Sequence, residues 1–388
     1  MAVPLFVITI VWQHWRGLVC AGFVLAAVLA GAARAQPQPA TQEPRYFRIG
    51  TAATGGSFFE IGGLVAGAVS GPTEGPPCGR GGSCGVPGLV AVAQATPGSI
   101  GNLRLIDSGQ IESGFAQADL AGWAYKGEKL FAESGPLRRL RAIGGLFPAA
   151  AHLVVRADSP IRSLADLKDR TIAIGGADSG SAADAAVLFD AAGFGERDLI
   201  RKNLRPGPAT AELKAGTIDA IFLVGGYPVP AIRDLAASTP IRLVPIEGEI
   251  IDKLKKHFVH YKLADIPAGV YPGVDTLTRS LGFAVLWLVN SEVDSDLVYA
   301  ITKSLWNPAT AKLLSTVDPI GGSIRLDRAL EGLSVPLHPG AARFYREAGM
   351  PIDSASQSAA DPVKREPAKD ELAKDGPANG GPVKQKGP

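Results

Sequence analysis

Short apolar strands alternate with helical segments through most of this chain, and that rhythm restricts it to α/β architectures. Residues 46–51 read as a strand and 57–70 as a helix opened by Ser57, a favoured N-cap type. Strands at 89–95 and 111–117 then alternate with helices at 99–108 and 119–126. The second half repeats the plan. Strands are expected at 140–146, 152–156, 171–175, 218–224, 241–246 and 281–289, with helices at 181–192, 209–215, 228–237 and 295–306. Units of this kind predict mostly parallel sheets with helices over both faces.

Two of the strand–helix junctions carry the chemistry. One is Gly50-Thr-Ala-Ala-Thr-Gly-Gly-Ser-Phe-Phe59 and the other is Gly175-Gly-Ala-Asp-Ser-Gly-Ser181. Glycine lets backbone approach a ligand closely. A helix start offers unpaired N–H groups and partial positive charge, a ready seat for an anion. Ser and Thr hydroxyls add hydrogen bonds. Ligands of open α/β sheets sit beyond the carboxyl ends of the strands, so these junctions suggest two lobes facing a shared cleft. Taken alone, the same residues also read as ordinary strand–helix turns. Neither is a nucleotide signature: the first lacks the G-x-G-x-x-G spacing and the second has no phosphate-loop lysine.

The ends of the chain read differently. Residues 18–33 are apolar and small, follow Arg16 and lead into Ala33-Arg34-Ala35, a small-x-small cleavage site. This predicts an export signal over 1–35, cleavage after Ala35 and a soluble mature protein in the periplasm. An uncleaved anchor and a start codon further along are the alternatives. Residues 351–388 are rich in Pro, Ala, Lys, Asp and Gly, which predicts a disordered tail. Past the signal only Cys78 and Cys84 remain, separated by a short glycine-rich loop that lets them pair in an oxidising compartment, with free thiols as the other reading. A metal site would need two more ligands, and none neighbours them.

With 39 basic and 37 acidic residues, the chain lacks the concentrated basic excess of a nucleic-acid binder. An enzyme is not indicated either. Past the signal the histidines are His152, His257, His260 and His338, and there is no G-x-S-x-G elbow. His257 and His260 sit on a Lys-rich helical stretch that reads as a solvated face. No catalytic residue, metal or cofactor is assigned.

Residues 47–62 resemble the opening of the TAXI-type solute receptors of TRAP transporters: a strand, a Gly/Thr-rich turn and a pair of aromatics. Further matches follow in order at 96–103, 175–181, 219–228, 266–273 and 335–341, so the resemblance spans residues 46–349. It implies an α/β, two-lobed periplasmic-binding-protein fold of type II-like form, with lobe I at 45–143 plus 249–350 and lobe II at 144–248. It implies a monomeric receptor that closes on a small anion and passes it to a membrane permease subunit driven by an ion gradient. The anion would be a carboxylate, a glutamate-like amino acid or a 2-oxo acid. By the same resemblance Thr51, Thr54, Gly55, Gly56, Ser57 and Phe58 form the first-lobe binding loop, with Phe59 where a Tyr is common. Ser99, Asn102 and Gln117 join them, and Ser179, Gly180, Ser181, Gly226, Tyr227 and Tyr271 complete the set. No Arg stands in these loops, so neutral donors are expected to dominate. A sensory or adaptor protein feeding a signalling partner needs the same cleft, and a periplasmic enzyme on a related fold is the remaining alternative.

Overall fold

The computed structural model describes residues 44–74, 78–80, 83–257, 261–317 and 319–352. The expected export signal, and the expected tail beyond Ile352, lie outside the described residues. Twelve strands are present among the described residues: β1 (Arg45–Gly50), β2 (Ser70–Gly71), β3 (Val86–Pro87), β4 (Leu89–Gln94), β5 (Ser113–Gln117), β6 (Leu140–Arg156), β7 (Arg170–Ala173), β8 (Leu199–Lys202), β9 (Ala220–Gly225), β10 (Ile241–Leu243), β11 (Lys262–Ile266) and β12 (Thr278–Asn290). The α-helices are α1 (Ser57–Val69), α2 (Ser99–Asp107), α3 (Ala118–Lys126), α4 (Gly180–Ala191), α5 (Pro206–Ala215), α6 (Pro230–Ala236), α7 (Glu249–His257), α8 (Ser295–Leu305), α9 (Pro308–Leu314) and α10 (Pro339–Glu347). None is long and apolar enough to cross a membrane.

Ten strands make one mixed sheet in the order β4-β1-β5-β12-β6-β9-β7-β8, with β10 also on β6 and β11 also on β12. Parallel pairs stand toward either end, β1 with β5 and β7 with both β8 and β9. Two long strands join them. β6 pairs antiparallel with β12 through its first part and with β9 and β10 through its last. β12 in turn pairs antiparallel with β5 and β11. The expectation of mostly parallel sheets therefore holds only toward the two ends. A strand that crosses between two parallel sets runs against its neighbours.

The structure also corrects the expected break between residues 146 and 152, since β6 continues through it for 17 residues. Gly144, Gly145 and Pro148 all lie within β6. Gly144 pairs with Trp287, and a Cβ there would collide with the Tyr345 hydroxyl. Pro148 stands opposite Ala284, beside a register shift, where a missing N–H costs no regular ladder bond. The core lies where helices cover the sheet: Phe47, Ile49, Phe115 and Trp287 are essentially inaccessible, and Phe115 meets Trp287 edge to face.

Cys78 and Cys84 are disulfide-bonded, with Cα atoms 4.6 Å apart. So short a loop removes little entropy from the unfolded chain, and replacing both cysteines by Ala is expected to cost about 2 kcal/mol in urea unfolding. Neither cysteine lines the cavity described next, so the same variant is expected to leave ligand affinity unchanged.

Candidate functional site

Three helix starts meet at one small cavity. α1 follows β1, α2 follows β4 and α4 follows β7, each beyond the carboxyl end of its strand. Gly56 and Gly98 occupy the N-cap positions of α1 and α2, and no side chain caps either start. The first two amides of each helix, at 57–58 and 99–100, are thus left for a ligand, while the Phe59 and Gly101 amides go to the Gly56 and Asp178 carbonyls. At α4, Ser179 Oγ accepts from the Ala182 amide at 3.1 Å, which leaves the two amides before it. Gly98 has φ 121°, a conformation that favours glycine, and its Cα lies so near α4 that an added Cβ would stand 3.4 Å from Ser179 Cα.

The cavity measures about 60 Å³ and is lined by Gly56, Ser57, Phe58, Ser99, Gln117, Ser179, Gly180, Ser181, Arg205 and Pro206, together with residues 52–53, 97–98, 175–176 and 223–225. Ser57 Oγ accepts from the Gly226 amide and Ser181 Oγ from the Val224 amide, each at 2.9 Å. The two serines thereby flank the end of β9, and each hydroxyl keeps its proton for an acceptor in the cavity. Ser99 Oγ donates to Gln117 Oε1 at 3.3 Å. Gln117 Nε2 donates onward to Asp184.

Eight of the residues expected at the site line the cavity: Gly56, Ser57, Phe58, Ser99, Gln117, Ser179, Gly180 and Ser181. The other eight do not, and most have structural work. Thr51 Oγ1 donates to the Gln94 carbonyl at 2.8 Å. Asn102 Nδ2 faces the carbonyls of Gly50, Thr51 and Phe115. The Gly55 carbonyl accepts from the Ala231 amide at 3.0 Å, and Gly226 serves through its amide to Ser57. Tyr271 is fully buried: its hydroxyl accepts from the Val229 amide at 2.8 Å and donates to His152 Nε2 at 2.9 Å. His152 donates from Nδ1 to the Ala150 carbonyl, and burial lowers its pKa to about 4, so the ring is neutral and Nε2 is an acceptor. Thr54 is exposed; Phe59 and Tyr227 are half-buried away from the lining. Because Phe59 does not reach the cavity, its lack of a hydroxyl removes no contact there.

Arg205 lines the cavity although it lies outside the matched loops. It stands at the N-cap of α5, more than a third exposed, at the edge of the cavity, and forms no ion pair among the described residues. Reading the helix as starting at residue 209 hid it. Pro206 at the first helical position was the signal that the start lies earlier.

Direct contacts tie the α1–α2 side of the cavity to the α4–α6 side. The Gly101 amide donates to the Asp178 carbonyl at 3.2 Å and Arg104 pairs with Asp178 at 2.9 Å. Glu60 and Arg233 approach to 3.9 Å. The ion pairs are exposed and weak; the backbone bonds fix the approach.

A mixed α/β protein with a small half-open cavity at its strand ends, lined in part by hydroxyls and amides, is the class these features define. From residue 49 to residue 349 the sequence matches the NMT1-like family, and the chain belongs to that family. Among solved structures it is similar to the periplasmic binding protein BugD, at 14% identity over 80% of this chain and 98% of that one, with a TM-score of 0.47. It is also similar to the alkanesulfonate-binding protein SsuA from Xanthomonas axonopodis pv. citri bound to MOPS, at 19% identity over 82% and 98%, TM-score 0.41. An ancestral arginine-binding protein bound to arginine matches at 15% identity over 71% and 99%, TM-score 0.42.

Proposed function

We propose that this chain is the extracytoplasmic solute receptor of a TAXI-type TRAP transporter, and that it captures a small carboxylate and delivers it to a membrane permease. The observation that carries the reading is the convergence of three helix starts and two proton-bearing serine hydroxyls on one small cavity. A carboxylate there accepts charge-assisted hydrogen bonds from neutral donors, and Arg205 at the mouth adds the one positive side chain in the lining. Residues 45–143 with 249–350 act as one lobe and 144–248 as the other, hinged where β6 and β12 cross between them. The anion favours the closed form because only that form presents donors from both lobes together.

A thermal-shift screen of organic and amino acids on the mature protein, followed by calorimetry on variants, tests the reading. Ser57→Ala and Ser181→Ala are each expected to lower the affinity of the acid found by about tenfold or more, the effect of one hydrogen bond to a charged group. Arg205→Ala is expected to weaken binding most at low salt. Unchanged affinity in both serine variants would overturn this placement of the ligand.

A further inference from the structure

Behind Gln117 lies a pair of carboxyl groups that the anion cavity does not use. Asp119 stands in the first turn of α3 and Asp184 in the second turn of α4, and each is only 2% exposed. Asp184 accepts from Gln117 Nε2 and from the Tyr261 hydroxyl, the latter at 3.0 Å. Asp119 faces Asp184, Tyr261 and the Leu120 amide. No donor reaches either of its oxygens at full hydrogen-bond geometry. An acid this deeply buried, with no full hydrogen bond to either oxygen and a second acid beside it, favours the protonated form.

We infer that Asp119 and Asp184 form a proton-binding site that is complete only while the cleft is closed, so that the receptor takes up one proton together with its anion. The inference takes from the proposed function only that the α1–α3 side and the α4–α6 side separate when the cleft opens. α3 belongs to one side and α4 to the other, so opening parts the two carboxyls and hydrates them. Closing presses them together in a place without water, where two negative charges cannot coexist. One proton shared between them resolves the conflict.

The electrostatics agree with the geometry. Burial pushes the Asp119 carboxyl up to about 6 from the ordinary 3.8. Burial, and then the negative charge of Asp119, pushes Asp184 well above it. The groups acting most on the pair are Gln117, Tyr261 and the local backbone, none of them basic. Charged side chains on the elements packed around it are exposed to solvent, as Arg104 on α2, Lys126 on α3, Asp190 on α4, and Glu249, Asp252, Lys253 and Lys255 on α7 are, or, like the half-buried Asp107 that closes α2 and accepts from the Arg139 amide, are engaged elsewhere. The sign follows. The open form has released the proton above the ordinary Asp value, and the closed form still holds it. Raising pH therefore opposes closure, and ligand affinity falls by up to about tenfold per pH unit until the closed pair itself ionises. Below the ordinary Asp value both forms are protonated and the dependence vanishes.

The test needs no ligand. Arg104→Cys with Asp178→Cys, bridged by a bis-methanethiosulfonate reagent about as long as the side chains removed, links positions whose side chains already meet across the cleft, and Glu60→Cys with Arg233→Cys bridged in the same way gives an independent second link. Infrared spectra of either cross-linked protein at pH 7 are expected to show a protonated buried carboxylic acid. Its band should be lost in the Asp119→Asn, Asp184→Asn double variant and weakened when the link is reduced. A cross-linked protein with no protonated carboxyl at pH 7, or a band that survives in the double variant, would overturn the inference. Either result leaves the serine and Arg205 measurements untouched, so the two readings fail separately.

Discussion

Asn102→Asp is expected to destabilise the protein by about 5 kcal/mol, against about 3 kcal/mol for Asn102→Ala. Asn102 is wholly buried on α2. Its Nδ2 group lies 3.0 Å from the Gly50 carbonyl, 2.7 Å from that of Thr51 and 2.8 Å from that of Phe115. They are the last residue of β1, the one after it and the middle residue of β5, the strands that lead into α1 and α3. One amide thus ties the end of β1 and the body of β5 to a helix beside the first binding loop. Alanine leaves three buried carbonyls without this donor. Aspartate does worse, because it sets a carboxylate against three carbonyl oxygens where no cation is near. Urea unfolding measures both. The ordering is the informative part: if Asp and Ala cost the same, the site admits water or holds the acid neutral, and the clamp matters less than its geometry indicates.

How much of this was legible in the sequence depends on how local the cause is. Gly56, Ser57, Ser179, Gly180 and Ser181 follow from the rule that a Gly- and hydroxyl-rich turn between a strand and a helix presents amides at the strand's carboxyl end, and all five line the cavity. Asn102 and Tyr271 belonged to the same family-like motifs, and their chemistry was visible. Their partners were not. The carbonyl of Gly50 is 52 positions from Asn102, and His152 is 119 positions from Tyr271. Without those partners a buried clamp and a ligand contact look alike. Asp119 reads as an acid in a favourable first helical turn, and nothing in its neighbourhood announces Asp184. The continuity of β6 was hidden for the same reason, since the partners that carry it past Pro148 come from β12 and β9. Arg205 is the exception: Pro206 beside it is a local mark of a helix start.

Gly180→Ala is expected to leave the protein folded and to lower ligand affinity by more than about a hundredfold, corresponding to roughly 3 kcal/mol. A Cβ at this position would occupy the space of Gln117 Oε1 and stand 3.0 Å from Ser99 Oγ. The far end of a glutamine usually yields at little cost. Here Gln117 Nε2 is held by Asp184 and Oε1 by the Ser99 hydroxyl, so the side chain moves only by giving up both bonds. Overpacking of a filled site costs about 1–3 kcal/mol by itself, and the lost bonds add to it. The cheaper escape is to keep α4 away from α2, which means that the cleft does not close. The cost then falls on binding rather than on folding, because neither side loses its own core. Trimming the obstruction distinguishes the two outcomes: Gly180→Ala with Gln117→Ala restores the space and is expected to recover part of the affinity, although the variant lacks a cavity-lining amide. Wild-type affinity in Gly180→Ala alone would mean that the ligand is held without the α2–α4 approach seen here.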